Sequence, residues 1–266
     1  MQYCGSHFVQ FHNNSVSLAK EVAGFVAAGL REEEGVIVIA TAEHTTLIMQ
    51  QLIKDEISAA AAEERGQLRI LDADVTLASF MRLTLPDWSR FRDAISAEMS
   101  TMRARGFNKI RAYGEMVDIL WRKGNSSAAI RLEEYWNDLG QIYNFSLLCA
   151  YLLDGLSESS YAGPLNEIGR THSDVLAGAD DERLRRAVDA VSAEIFGTPL
   201  SSVLSLSESL PGEQRLPPGR RTVMWLKRTM PLKVSEILDR VRREIESETV
   251  VDAAALAETK SPVKTA

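Results

Sequence analysis

The chain has 266 residues, 45% of them hydrophobic and 25% charged, with a net charge of −7, the composition of a soluble globular protein long enough for one large domain and a helical appendage. Its two cysteines, Cys4 and Cys149, exclude a disulfide framework, and no run approaches the roughly 18 apolar residues of a membrane span. The start, Met1-Gln-Tyr-Cys-Gly-Ser, lacks the basic and apolar regions of a secretory signal, so the expected location is a reducing cytoplasm.

Along the chain, strand and helix signals alternate over the first ~155 residues, which predicts a doubly wound α/β fold with a parallel or mostly parallel sheet. His7–Phe11 reads as a first strand. Ser15–Leu30 then places Leu18, Val22, Phe25, Val26 and Leu30 on one helical stripe. The continuous run Val36–Thr41 is how a strand covered on both faces reads. A helix over Thr45–Glu64 follows, then a strand at Leu68–Asp72, with Asp74 expected to cap a helix over Val75–Leu83. Pro86-Asp87 opens another helix through Arg105. Strands at Lys109–Tyr113 and Phe145–Tyr151 complete five. Between them lie a break at Gly114, a short helix, a Gly124-Asn125 turn and a longer helix. Trp121, Tyr135 and Trp136 belong to the core on this reading, since Leu132, Tyr135, Trp136 and Leu139 share a helix face.

From Ser157 strand signals stop. Asp180–Phe196 reads as a helix with Leu184, Val188, Val191 and Ile195 on one face, and Arg220–Thr229 and Leu232–Glu248 as two more, separated by Pro231. The expected organisation is an α/β domain over 1–156, a helical region over 157–252 and a disordered tail over 253–266. Between Arg215 and Arg243 stand nine basic and two acidic residues, a segment of +7 in a chain of −7. Arg220, Arg221, Lys227, Arg228 and Lys233 could form a face for an anion, a nucleic acid or a partner. The simpler reading is a solvated helix pair, with Val223, Leu226, Val234, Ile237, Leu238 and Val241 packing on the acidic body.

The candidate chemistries can be tested in turn. A phosphate loop needs glycines that let backbone N–H groups curl around the anion. The first loop here is His12-Asn13-Asn14-Ser15, without glycine, and the nearest lysine, Lys20, is inside the helix. Capping accounts for Asn13, Asn14 and Ser15. An ATPase with an atypical loop remains the enzyme alternative. His7, His12, His44 and His172 show no ligand spacing, and His7 and His12 would point to opposite faces of a strand, so no metal is expected. Asp72-Ala-Asp74 reads as a strand end and a cap. Cys149, in an apolar strand, has no base near it in sequence, and His172-Ser-Asp174 reads as a polar helix end.

One group stands out. Glu115 follows the strand Arg111-Ala-Tyr113, with Asp118 beyond it, and strand carboxyl ends face the ligand crevice of an open parallel sheet. His12, Thr41, Glu43, His44 and Asp72 also fall at strand ends. With Arg111, Tyr113 and Glu115 they make the candidate ligand-binding set. The alternative is a structural Glu115, paired with Arg111 or capping the short helix.

These same residues carry a resemblance. His7-Phe-Val-Gln-Phe11, Val36–Thr41, Glu43-His44, Leu71-Asp-Ala73, Phe80-Met81, Arg111-Ala-Tyr-Gly-Glu-Met-Val-Asp118, Gly124-Asn125, Leu132-Glu133, Trp136-Asn137 and Phe145–Tyr151 resemble, in consistent order, the MEDS family. This is a sensory domain named after the repressor of dichloromethane metabolism in methylotrophs. The resemblance implies a RecA-like core with a degenerate phosphate loop, similar to circadian-clock ATPases, and sensing of small molecules, proposed to be hydrocarbon derivatives. Signalling to transcription or a kinase is implied with it. Because His7 already opens the first strand, no helix-turn-helix is expected before it. The expectation is therefore a non-catalytic, cofactor-free cytoplasmic regulator that binds a small ligand or a signalling partner. It would have no membrane association, and self-association is compatible with it. The alternatives are the ATPase and a nucleic-acid-binding regulator using the basic helices.

Overall fold

The computed structural model describes residues 6–157, 165–204 and 213–259. Cys4 and residues 260–266 of the expected tail lie outside them. In chain order the elements are β1 (His7–His12), α1 (Ser15–Arg31), β2 (Gly35–Ala40), α2 (Ala42–Lys54), α3 (Ala59–Glu64), β3 (Leu68–Asp72), α4 (Ala73–Phe80), β4 (Met81–Arg82), β5 (Leu85–Pro86), α5 (Trp88–Ala104), β6 (Ile110–Gly114), α6 (Met116–Arg122), α7 (Ser126–Ile142) and β7 (Phe145–Leu152). There follow α8 (Leu165–Thr171), β8 (Asp174–Leu176), α9 (Ala179–Phe196), α10 (Leu200–Leu204), α11 (Pro218–Thr229) and α12 (Val234–Thr259). The chain divides into two compact units: one holds the described residues up to Asp154 and on through Asp180, the other 155–157 and those from Asp181 onward.

In the first unit six strands form one sheet in the order β3-β2-β6-β7-β1-β8, with every pairing parallel. This is the expected α/β class and fits a RecA-like layout. Because side chains alternate along a strand, Val36, Val38 and Ala40 point one way, where Leu18, Val22 and Val26 of α1 and Ile48 and Leu52 of α2 cover them. Ile37 and Ile39, equally buried, point the other way. Burial on both sides is why β2 is apolar without interruption. An aromatic cluster adds to the core, with Phe91 of α5 edge-to-face on Trp136 of α7 at 4.9 Å and on Phe80 of α4 at 5.3 Å.

Several boundaries differ from the sequence reading, for local reasons. The helix expected over Thr45–Glu64 breaks after Lys54, where Glu56 takes a positive φ of 58° and Ser58 caps α3. Asp72, not Asp74, caps α4 by accepting from the Val75 N–H at 2.8 Å; Asp74 pairs with Lys123 instead. A sixth strand, β8, lies in the stretch read as helical. Its three residues are too few to show a period, and it exists because β1 pairs with it. The final helix runs past Glu248 to Thr259.

The second unit is helical among its described residues. Val223, Leu226, Ile237, Leu238 and Val241 are buried, and Val234 is half-buried. Some of the basic residues are paired within the unit: Arg228 with Glu213 and Arg240 with Glu194. Arg220, read from sequence as a surface cation, is 1% exposed and holds the equally buried Asp181 at 2.5 Å. It therefore cannot serve an external anion. Arg221 and Lys227 are half-buried, and of the five only Arg228 and Lys233 are exposed. Removing one partner of a buried pair strands the other charge. Arg220→Ala should therefore cost about 3–5 kcal/mol in urea unfolding, and replacing both partners by apolar residues should cost less. A loss under about 1 kcal/mol for the single change would contradict this reading.

Candidate functional site

The connection from β2 leads outward to its neighbour β3, while that from β6 leads the opposite way to its neighbour β7. Where successive connections diverge, the carboxyl ends of the two strands open a crevice. The residues just past those ends are Thr41 and Glu115.

Glu115 is the hub. It is 1% exposed. Its Oε1 accepts the Thr41 N–H at 2.5 Å, and its Oε2 accepts the Tyr113 hydroxyl at 2.8 Å and meets Nδ1 of His44 at 2.6 Å. The other ring nitrogen of His44 lies 3.0 Å from the hydroxyl of Ser15, the first residue of α1. Ser15, His44 and Glu115 thus form one hydrogen-bonded chain running from a half-buried hydroxyl to a buried carboxyl group. Burial alone would raise the Glu115 pKa, but the His44 ring and the Thr41 N–H outweigh it and hold it below 4.5. For His44 burial works downward, and the Glu115 carboxylate reverses it, leaving the ring above 6.5. Burial and the neighbouring Glu115 charge both push the Tyr113 phenol well up, so it stays a donor.

Two further strand ends are closed the same way. Asp118, 1% exposed, accepts the Leu152 N–H at the end of β7 at 2.9 Å and pairs with Arg122 at 2.7 Å. Burial raises its pKa more than Arg122 lowers it. At the end of β1, Asp180 accepts the Asn13 N–H at 2.9 Å and the Ser17 hydroxyl at 2.6 Å. Asn14 caps α1, its side-chain oxygen taking the N–H groups of Val16 and Ser17.

Of the sequence-derived set, Thr41, His44, Tyr113 and Glu115 meet in one network. His12 is buried at the end of β1. Glu43 and Asp72 are exposed, and Asp72 is spent on its helix cap. Arg111 sits about 13 Å back along β6, at ~3.3 Å per residue. There it donates to Glu34 at 2.7 Å and to the Phe25 carbonyl at 3.1 Å, so it does not pair with Glu115. The cap alternative fails too, since the Glu115 side chain makes no cap hydrogen bond to α6. Ser15 and Asp180 were missed. Ser15 read as ordinary capping, and nothing in sequence links Asp180 to Asn13.

A second polar cluster lies inside the sheet, beneath α7. His7 opens β1, Glu133 is on α7, Cys149 is in β7 and His172 directly follows α8; all four are buried. Glu133 Oε2 lies 3.2 Å from His7 Nε2, 3.4 Å from His172 Nε2 and 3.4 Å from Cys149 Sγ, and His7 Nε2 lies 3.3 Å from that sulfur. Glu133 Oε1 accepts the Tyr151 hydroxyl at 2.6 Å. Burial pushes Glu133 up, yet the two rings hold it far below the usual carboxylate range. Burial and then the His172 charge lower His7, while burial and the Glu133 charge push the Cys149 thiol well up. Sequence spacing argued against such a group because its members come from four separate elements. Cys149 does have polar neighbours, and His172 is no exposed helix end.

A model of the MEDS family, "MEthanogen/methylotroph, DcmR Sensory domain", matches residues 6–173, a span that contains both clusters except Asp180. No curated protein matches the chain.

The His44–Glu115 pair has a definite pH signature. The raised His44 stabilises fully below about pH 6.5 and loses its contribution as pH rises through the folded value. The lowered Glu115 contributes fully above pH 4.5 and loses it as pH falls through its own folded value. Glu115→Gln should therefore cost most between pH 4.5 and 6.5, about 1.5–3 kcal/mol in chemical unfolding, and less on either side. A cost independent of pH would contradict the coupling.

Proposed function

The chain belongs to the MEDS family of sensory domains, and from that premise we propose that it is a regulator whose α/β unit receives a small neutral or cationic ligand at the carboxyl edge of the sheet. The helical unit would carry the outcome to a signalling partner. The observation that carries this reading is the Ser15–His44–Glu115 chain at the divergence of β2 and β6. Its outer end is a half-buried hydroxyl that can donate to or accept from a ligand. Its inner end is a carboxylate fixed by a backbone N–H and a phenol, so little reorganisation is needed on binding. The carboxyl groups of Glu115, Asp118 and Asp180 disfavour an anionic ligand. To act as a switch, the ligand must favour one of two arrangements.

Calorimetry against a panel of small alcohols, amines and halogenated hydrocarbons tests the reading. At least one should release saturable heat, weakened tenfold or more by Ser15→Ala and by Glu115→Gln in variants with native circular dichroism. Silence across the panel, or affinity untouched by both changes, would remove the ligand site from this edge.

One observation favours a second reading. Ser–His–Glu in hydrogen-bonded order is the arrangement of an acyl-transfer nucleophile, base and orienting acid. Such chemistry also needs donors aimed at an oxyanion, and the α1 N–H groups of Val16 and Ser17 are held by Asn14. A fluorophosphonate probe should thus leave Ser15 unlabelled. Stoichiometric labelling that disappears in His44→Ala would replace the sensory reading with a hydrolase.

A further inference from the structure

We propose that His7, Glu133, Cys149 and His172 form a binding site for one divalent transition-metal ion, with Zn²⁺ the best match. The proposal is independent of the ligand site at the strand edge. Its first support is geometric. Tetrahedral Zn²⁺ with bonds of about 2.0–2.3 Å requires its ligand atoms roughly 3.3–3.7 Å apart. The four separations among His7 Nε2, His172 Nε2, Cys149 Sγ and Glu133 Oε2 given above are 3.2, 3.3, 3.4 and 3.4 Å, and no two of the four atoms are more than 4.8 Å apart. An ion at their centre would need only small movements.

The second support is the outer ring of hydrogen bonds. The Asn137 amide nitrogen donates to the Thr171 carbonyl at 2.7 Å, which fixes the amide orientation and leaves its oxygen to accept from His7 Nδ1 at 3.0 Å. His172 Nδ1 donates to the Ile168 carbonyl at 2.6 Å. With Nδ1 of each ring engaged as a donor, the neutral form of each ring turns its Nε2 lone pair inward, the arrangement by which metal-bound histidines are oriented. Tyr151 occupies the outer oxygen of Glu133 and leaves Oε2 facing the same point. Two imidazole nitrogens, a sulfur and a carboxylate oxygen converge with their donor electrons on one buried place. That set suits Zn²⁺ and its neighbours rather than Ca²⁺ or Mg²⁺, which prefer oxygen alone. A cation would also favour the Cys149 thiolate.

A cleft of about 50 Å³ is lined by His7, Trp136, Asn137 and Gly140 among others, so one of the four residues borders a surface opening.

The test uses the full chain, stripped with a chelator and titrated with Co²⁺ and with Zn²⁺. One equivalent of Co²⁺ should give intense tetrahedral bands and a sulfur-to-cobalt charge-transfer band. The latter should vanish in Cys149→Ser. Zn²⁺ should displace Co²⁺ and raise the unfolding midpoint of the native chain. Asn137→Ala, which touches no proposed ligand atom, should weaken Zn²⁺ binding roughly 10–100-fold, as expected for a residue that orients a ligand. If Cys149→Ser does not fold, the spectrum of the native chain decides alone. An octahedral spectrum without the sulfur band, or no stoichiometric uptake with the midpoint unmoved by Zn²⁺, would overturn the proposal.

Discussion

A parallel sheet covered on both faces must find partners for the backbone N–H groups where its strands end, because an unmade hydrogen bond there costs about 1–3 kcal/mol. Among the described residues three strand ends are closed by carboxyl groups. Glu115 receives Thr41 beyond β2, Asp118 receives Leu152 in β7, and Asp180 receives Asn13 beyond β1. The acids arrive from positions remote in sequence, so each hydrogen bond also ties the strand to another part of the unit. What the edge can bind follows from that arrangement.

In related architectures the same edge often holds phosphate on glycine-rich turns and helix N-termini. Here the turn after β1 has no glycine, its first N–H group faces Asp180, and the first amides of α1 face Asn14. A phosphate would have to displace a carboxyl group of its own sign of charge. The edge instead offers a hydroxyl backed by an imidazole and a buried carboxylate. Such a group can hydrogen-bond a neutral or positive molecule at little cost in reorganisation, which is consistent with a sensory family.

The strands and most helices were legible because the apolar patterns are long and clean: the run Val36–Thr41 reads as a doubly covered strand, and apolar stripes run along the 17-residue helices α1 and α7. The three-residue β8 and the two-residue β4 and β5 carry no period to read. In the candidate site, Glu115, Tyr113, Thr41 and His44 were found by one rule, that strand carboxyl ends meet at the crevice. The rule overreached at Arg111, which lies on the same strand but four residues, about 13 Å, before Glu115. It gave no hint of Asp180 or of the Glu133 cluster, since those contacts link residues with no common period or spacing. The basic segment misled for a related reason: Arg220 counts as +1 in a sequence, and only the fold reveals Asp181 against it.

Replacing Asp180 examines the carboxyl closure most directly. Pyrophosphate, with and without Mg²⁺, is titrated calorimetrically into the native chain and into Asp180→Ala. The account predicts no saturable heat from the native chain and weak, salt-sensitive binding once the Asp180 carboxyl group no longer covers the turn after β1. Tight Mg²⁺-dependent binding by the native chain, undiminished at physiological salt, would contradict it.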